Sequence, residues 1–289
     1  MAQSRQSMRH RLNRRPDRGL VVLLLPYLAF IAFGVARIDA PVSLIGLLFD
    51  EPLGFAIAAT AVALGGTALL CTPAAERRVA RLFVEARDPA PPEQERLGPL
   101  LDRLGARAGM DARRFDVRVQ ETGELNAAAG GLRTLFVTTA ALRRSDAELE
   151  ALLAHELGHH RALHPVGTLV LWWLSIPGEV LEAVYRALRG LAQRLTGRVR
   201  PLALLVQLLL VVWQVAVMWV FYVGRLLARW ASRVSEYAAD RSAAAWGYGP
   251  QLAALYADVG DVEPQSRLER LLLEHPPMPE RIDRLTRHG

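Results

Sequence analysis

The sequence predicts a mostly helical α+β protein, in which a domain holding a small β-sheet is joined to about four transmembrane helices. Three observations lead there. Residues 19–36, 52–75 and 201–224 are free of charge over 18, 24 and 24 positions. Twenty-four helical residues reach about 36 Å, enough for a hydrocarbon core of about 30 Å. Between the second and third runs lie short alternating stretches that read as strands. In the same region Ser145 and Glu148 form a capping box ahead of Leu149, Leu152, Leu153 and Leu157, which announces an amphipathic helix.

Composition supports the membrane half of this reading. Hydrophobic residues make up 52% of 289 positions and mean hydropathy is +0.16, high for a soluble chain. The net charge of +6 comes wholly from arginine, and the arginines flank the apolar runs. That distribution suits a lipid surface and does not form the aromatic-interleaved stripe that nucleic acid would require. Cys71 is the sole cysteine, which excludes an intrachain disulfide and a cysteine-built metal site.

Residues 1–18 carry six arginines and one acid, a basic cytoplasmic N-terminus. The run that follows is longer than a secretory signal core and is succeeded by further apolar runs, so it reads as an uncleaved anchor. Residues 19–75 then hold two transmembrane helices, with the acidic loop 37–51 outside. Arg77, Arg78, Arg81 and Arg87 hold the cytoplasmic end of the second. The protein is expected to be multi-pass in the cell membrane, with its catalytic domain in the cytoplasm.

Residues 76–164 form the first part of that domain. The DPAPPE stretch 88–93 reads as a linker, 93–108 as an amphipathic helix, and 115–119 (FDVRV) as a strand. Residues 125–129 and 135–139 read as two more strands, turning at Gly130-Gly131. Residues 165–227 are expected to form a transmembrane hairpin: 165–178 is uncharged for only 14 positions, whereas 201–224 is the strongest run in the chain. The first arm either crosses or lies re-entrant. Apolar length favours two crossings, although they would place the five arginines of 186–200 outside. Residues 228–289 complete the domain, with a helix beginning at Ser232, a break at 247–250 (GYGP), a helix to Val259 and a last amphipathic helix after 275–281.

The chemistry centres on His155-Glu156-Leu157-Gly158-His159. Histidines four apart lie about 40° apart on a helix, so both imidazoles reach one metal ion. Glu156 then faces a water on that ion and can serve as general base. His160 points about 100° away and reads as a surface residue. Pro165 occupies the place of a metzincin-like third histidine, so the third ligand comes from elsewhere. Glu236 and Asp240, four apart, share a helical face. Glu236 could complete a His₂Glu site and Asp240 could accept the free N–H of a ligating histidine. The alternative is a solvated acidic pair held by Arg233 or Arg241. Residues 126–129 suit a substrate-pairing strand or an ordinary sheet edge equally.

Taken in order, H-E-L-G-H, a membrane hairpin, E-Y-A-A-D-R (236–241) and H-P-P-M-P-E-R (275–281) resemble the HtpX-like branch of the family that includes the CAAX prenyl proteases. These are membrane-embedded zinc endopeptidases of the gluzincin type. The resemblance runs from about residue 73 to the C-terminus and more loosely over the leading spans. It implies a zincin-like catalytic domain in which His155, His159 and Glu236 bind Zn²⁺, Glu156 is the base and Asp240 an outer carboxylate. It implies that Asn126-Ala127 and Gly131 belong to a substrate strand, with Ala128 where the family carries an aromatic residue. His275 and Arg281 match a tail pair beside the active site, with catalytic or substrate-binding roles. The expected partners are the bilayer and polypeptide substrates, membrane or misfolded proteins cut on the cytoplasmic side. Two rival readings are a signal-relay metalloprotease and a non-catalytic metal-binding scaffold. The lack of a recognisable sensor domain weighs against the first, and an intact Glu156 against the second.

Overall fold

A computed structural model of the chain describes residues 52–196, 200–259 and 276–287. They fall into two compact units. The first is built from the described parts of Ala68–Leu169 and Arg229–Gly289. Its sheet has four strands in the order β1-β2-β4-β3: β1 (Ala86–Arg87), β2 (Asp116–Gln120), β3 (Ala127–Gly130) and β4 (Thr134–Thr138). β2 and β4 run parallel, with Val117 opposite Leu135, and the other pairs are antiparallel. Three strands fall where alternation predicts them. β1 has two residues, too few to show a period.

Helix α1 (Pro52–Leu70) precedes α2 (Pro73–Leu82), whose N-cap Thr72 accepts from the Ala75 N–H. α3 (Pro91–Ala108) begins inside the expected linker. Pro91 and Pro92 open the helix because the first-turn N–H groups have no intrahelical partner to lose. Gly109, at φ 64°, stops it. After the short α4 (Thr139–Leu142) comes α5 (Asp146–Arg161), with the predicted capping box at Ser145 and Glu148. α6 (His164–Thr196) and α7 (Arg200–Ala245) follow, then α8 (Gly249–Val259) and α9 (Met278–Arg287). No helix begins at Ser232. Without a proline between Pro201 and Pro250, the apolar run and the acidic segment form one 46-residue helix.

The core joins Leu97, Leu100 and Leu104 of α3 to Leu135 and Val137 of β4, Leu149, Leu153 and Leu157 of α5, and Leu252 of α8. Each fully buried leucine contributes about 1.5–3 kcal/mol of transfer free energy. α5 therefore runs through the middle of this unit, with neighbours on several faces.

The second unit draws its described residues from Val22–Thr67 and Val170–Ala228. Gly66 packs so closely on Trp173 that a Cβ would meet the indole at 2.6 Å. Many of its large apolar side chains are exposed, among them Trp172, Leu188, Leu191, Leu204, Leu208 and Val212. Among the described residues no helix is long and apolar enough to cross a membrane. The expected first span, 19–36, lies outside those residues. The second run is divided at Leu70, where Thr72 caps a new helix. α6 carries Glu179, Glu182, Arg186, Arg189 and Arg194, which interrupt its apolar surface. Of the four expected transmembrane helices, the three that fall on described residues are thus not met there as spans.

Candidate metal centre

α5 presents His155 and His159 one turn apart, and α7 brings Glu236 against them. The three are buried or nearly so, and their ligand atoms converge. The imidazole Nε2 atoms lie 3.2 Å apart. Glu236 Oε2 is 3.3 Å from His155 Nε2, and Oε1 is 3.6 Å from His159 Nε2. Ligands about 2.0–2.1 Å from a tetrahedral zinc ion stand about 3.3–3.4 Å from one another. The triad already has that spacing, and its nitrogen and carboxylate donors suit zinc.

The other ring nitrogens are held as well. His155 Nδ1 donates to Asp240 Oδ1 at 2.9 Å, the contact expected of an outer carboxylate. His159 Nδ1 lies 3.0 Å from Nδ1 of His164, the first residue of α6. If Nε2 of His159 faces a metal, its Nδ1 carries the proton and His164 accepts it.

Glu236 and Asp240 are 7% and 3% exposed, which overturns the solvated-pair alternative. Both face Arg281, from α9. Its Nε and Nη2 donate to Asp240 at 2.8 and 2.7 Å, and Nη1 lies 3.1 Å from Glu236 Oε2. Tyr256 of α8 donates to Asp240 Oδ1 at 2.9 Å, accepts from Arg281 and lies beneath the guanidinium. Burial disfavours the Asp240 carboxylate, but Arg281 and His155 hold its pKa below the usual range. Burial also opposes charge on His155, yet Asp240 and Glu236 carry its pKa up to about 10. In His159 burial, with the neighbouring His155, depresses the pKa to about 3 and keeps the ring neutral.

Glu156 is 6% exposed. Burial raises its pKa to about 7; His155 opposes the shift and Glu236 adds to it. Its carboxylate accepts from the Ala129 backbone N–H. Among the described residues β3 pairs on one side only, with β4. Thr138 N–H donates to Asn126 O at 3.1 Å, so alternate residues Ala127 and Ala129 turn their backbone polar groups to the free edge. That edge passes beside Glu156.

His160 differs from its expected place. It is 6% exposed, its Nε2 donates to Thr134 O at 2.8 Å, and its ring packs on Phe115. The direction away from the ligand face of α5 leads to the sheet and not to water. His275 lies outside the described residues. Tyr256 is not singled out by the sequence, and His164 stands there only as an alternative ligand should Glu236 not be one. Tyr256 sits at helical spacing from Leu252 and reads as core, and no local pattern marks His164 as a partner for His159.

A histidine pair on one helix, a glutamate from a second helix and an acid beside them define a His₂Glu metallohydrolase centre. The chain belongs to peptidase family M48, whose sequence model matches residues 91–288, and it is a zinc metallopeptidase. The crystal structure of S. mikatae Ste24p aligns over 93% of this chain and 66% of that one, at 18% identity and a TM-score of 0.52. At that identity the likeness speaks for the fold. The chain spans about two thirds of the length of that protein. No curated protein matches.

Proposed function

We propose that this protein is a membrane-associated zinc endopeptidase in which His155, His159 and Glu236 hold the ion and Glu156 is the general base. The observation that carries the assignment is the tetrahedral spacing of the three ligand atoms with Glu156 buried beside them. Zinc, when bound, acts as a Lewis acid toward water and the scissile carbonyl. Glu156, with a pKa near the working pH, takes the proton from the attacking water and returns it to the leaving amine. Asp240, with Arg281 and Tyr256 behind it, fixes the ring orientation of His155. Arg281 is occupied by two carboxylates, which suits it to positioning them rather than to gripping substrate. The outward groups of β3 at Ala127 would pair with an extended polypeptide and bring it beside Glu156.

The membrane assignment is supported by the exposed apolar side chains of α6 and α7 and by the arginines that border them. Substrates of this reading are membrane or misfolded proteins, cut on the cytoplasmic face in quality control. Zinc content and casein cleavage, with and without a chelator, test the enzyme. Glu156→Gln is expected to retain about one zinc per chain and to lose roughly 10²–10⁴-fold in rate, because the amide cannot take the proton. Undiminished cleavage, or loss of the metal, would exclude Glu156 as the base.

A further inference from the structure

Glu76 is a buried acid, 7% exposed, that the chemistry above does not use. It projects from α2, and both its oxygens are engaged by the β3–β4 turn. Leu132 N–H donates to Oε1 at 2.7 Å and the Thr134 hydroxyl donates to Oε2 at 2.7 Å. Gly131, at φ 53°, passes directly over the carboxylate; a Cβ there would collide with Oε1, Cδ and Cγ of Glu76. The turn therefore needs glycine for its backbone angle and for the close approach of this side chain. Thr134 is held from the other side too, because its carbonyl accepts from His160 of α5. Glu76 and His160 thus grip one residue of the turn from two helices, and Thr134 is paired in register with Gly130 at the end of β3.

From this clamp we infer that Glu76 is a positioning residue for peptide hydrolysis, one that sets the register of the substrate edge against Glu156. β3 has four residues and, among the described residues, no strand partner on its outer side, so its register rests on β4, on α5 and on the turn. With the turn anchored to α2 and α5, β3 keeps its register beside Glu156 and the outward groups of Ala127 keep their place on its edge. Loss of the anchor leaves the ligand triad intact, since α5 and α7 carry it, but lets the edge shift. The cost falls on binding of an extended chain.

The inference rests on the reading of β3 as the substrate-pairing edge, and the experiment separates the two. The full-length protein is assayed with an internally quenched peptide copied from a casein site that the wild type cleaves, alongside zinc titration. Glu76→Ala is expected to raise KM roughly 10-fold, the cost of one or two weakened backbone hydrogen bonds, with kcat within about twofold and zinc affinity unchanged. Glu76→Gln restores KM, because its amide accepts from Leu132 and donates to Thr134. Thr134→Val keeps the β-branched shape, removes one donor and raises KM even if Glu76→Ala does not fold. Ala127→Pro removes an outward N–H and leaves the β4 ladder whole. If Ala127→Pro raises KM while Glu76→Ala and Thr134→Val do not, Glu76 is no positioning residue and the edge reading stands. If Ala127→Pro binds peptide like the wild type, the edge reading itself falls. A joint drop in kcat and zinc affinity in folded Glu76→Ala marks a merely structural role and overturns the inference.

Discussion

Behind the three ligand atoms lies a buried charge cluster. Glu236 and Asp240 face one guanidinium, Arg281, and Asp240 also accepts from His155 and Tyr256. The two carboxylates therefore have different work. In the proposed site Glu236 is the ligand to the ion, whereas Asp240 aims His155. Removing Glu236 deletes a donor; removing Asp240 only loosens one. Glu236→Ala is expected to weaken zinc binding as severely as His159→Ala does. Asp240→Ala should weaken it by roughly 10–100-fold, as losses behind a ligand do. Metal titration of the purified variants measures both, and wild-type zinc affinity in Glu236→Ala would remove it from the ligand set.

At the scale of elements, the centre exists because α5 and α7 touch at one glycine. A Cβ on Gly158 would lie 2.9 Å from Ala239 Cα and 3.0 Å from Ala239 O. Backbone cannot yield as a flexible side chain can, so Gly158→Ala must push the helices apart and draw Glu236 away from the histidines. Gly158→Ala is expected to lose zinc affinity at least roughly 10-fold and to melt lower, by the 1–3 kcal/mol typical of overpacking. Calorimetry with zinc titration reads both, and unchanged affinity would mean that the helices can separate without harm. The histidine spacing and the Glu236–Asp240 pair were legible in the sequence because each is a local helical period. Tyr256 and Glu76 were not, since their partners lie 16 to 101 residues away in the case of Tyr256 and about 56 in that of Glu76. No period links such positions. His160 misled for a related reason: the angle on the helix was right, but α5 is covered by the sheet where a surface helix would meet water. The start of α3 was misplaced because prolines end one helix and open another with equal ease.

For the whole molecule the open question is how the chain between the ligands travels. His159 and Glu236 meet at one site, so the chain between them crosses any bilayer an even number of times. α6 and α7 have 33 and 46 residues, about 50 and 69 Å of helix. Two crossings carry the arginines of 186–200 to the outer face, against the positive-inside tendency. A hairpin lying in one leaflet keeps them inside but leaves the 24 uncharged residues of 201–224 partly out of the hydrocarbon. Glu179 and Glu182 lie about 21 and 26 Å along α6 from Pro165, near the far interface, where charge is tolerable. Immersion of the long apolar run is the larger energy, since each buried CH₂ is worth about 0.8 kcal/mol. The uncharged run in the sequence thus favours two crossings, a reading that no helix among the described residues carries by itself. Leu191 is 52% exposed and Cys71 is buried. Leu191→Cys on a Cys71→Ser background, in intact cells, should react with a membrane-impermeant maleimide from outside. Protection there, with labelling only after lysis, would mean that α6 and α7 lie as a hairpin on the cytoplasmic side.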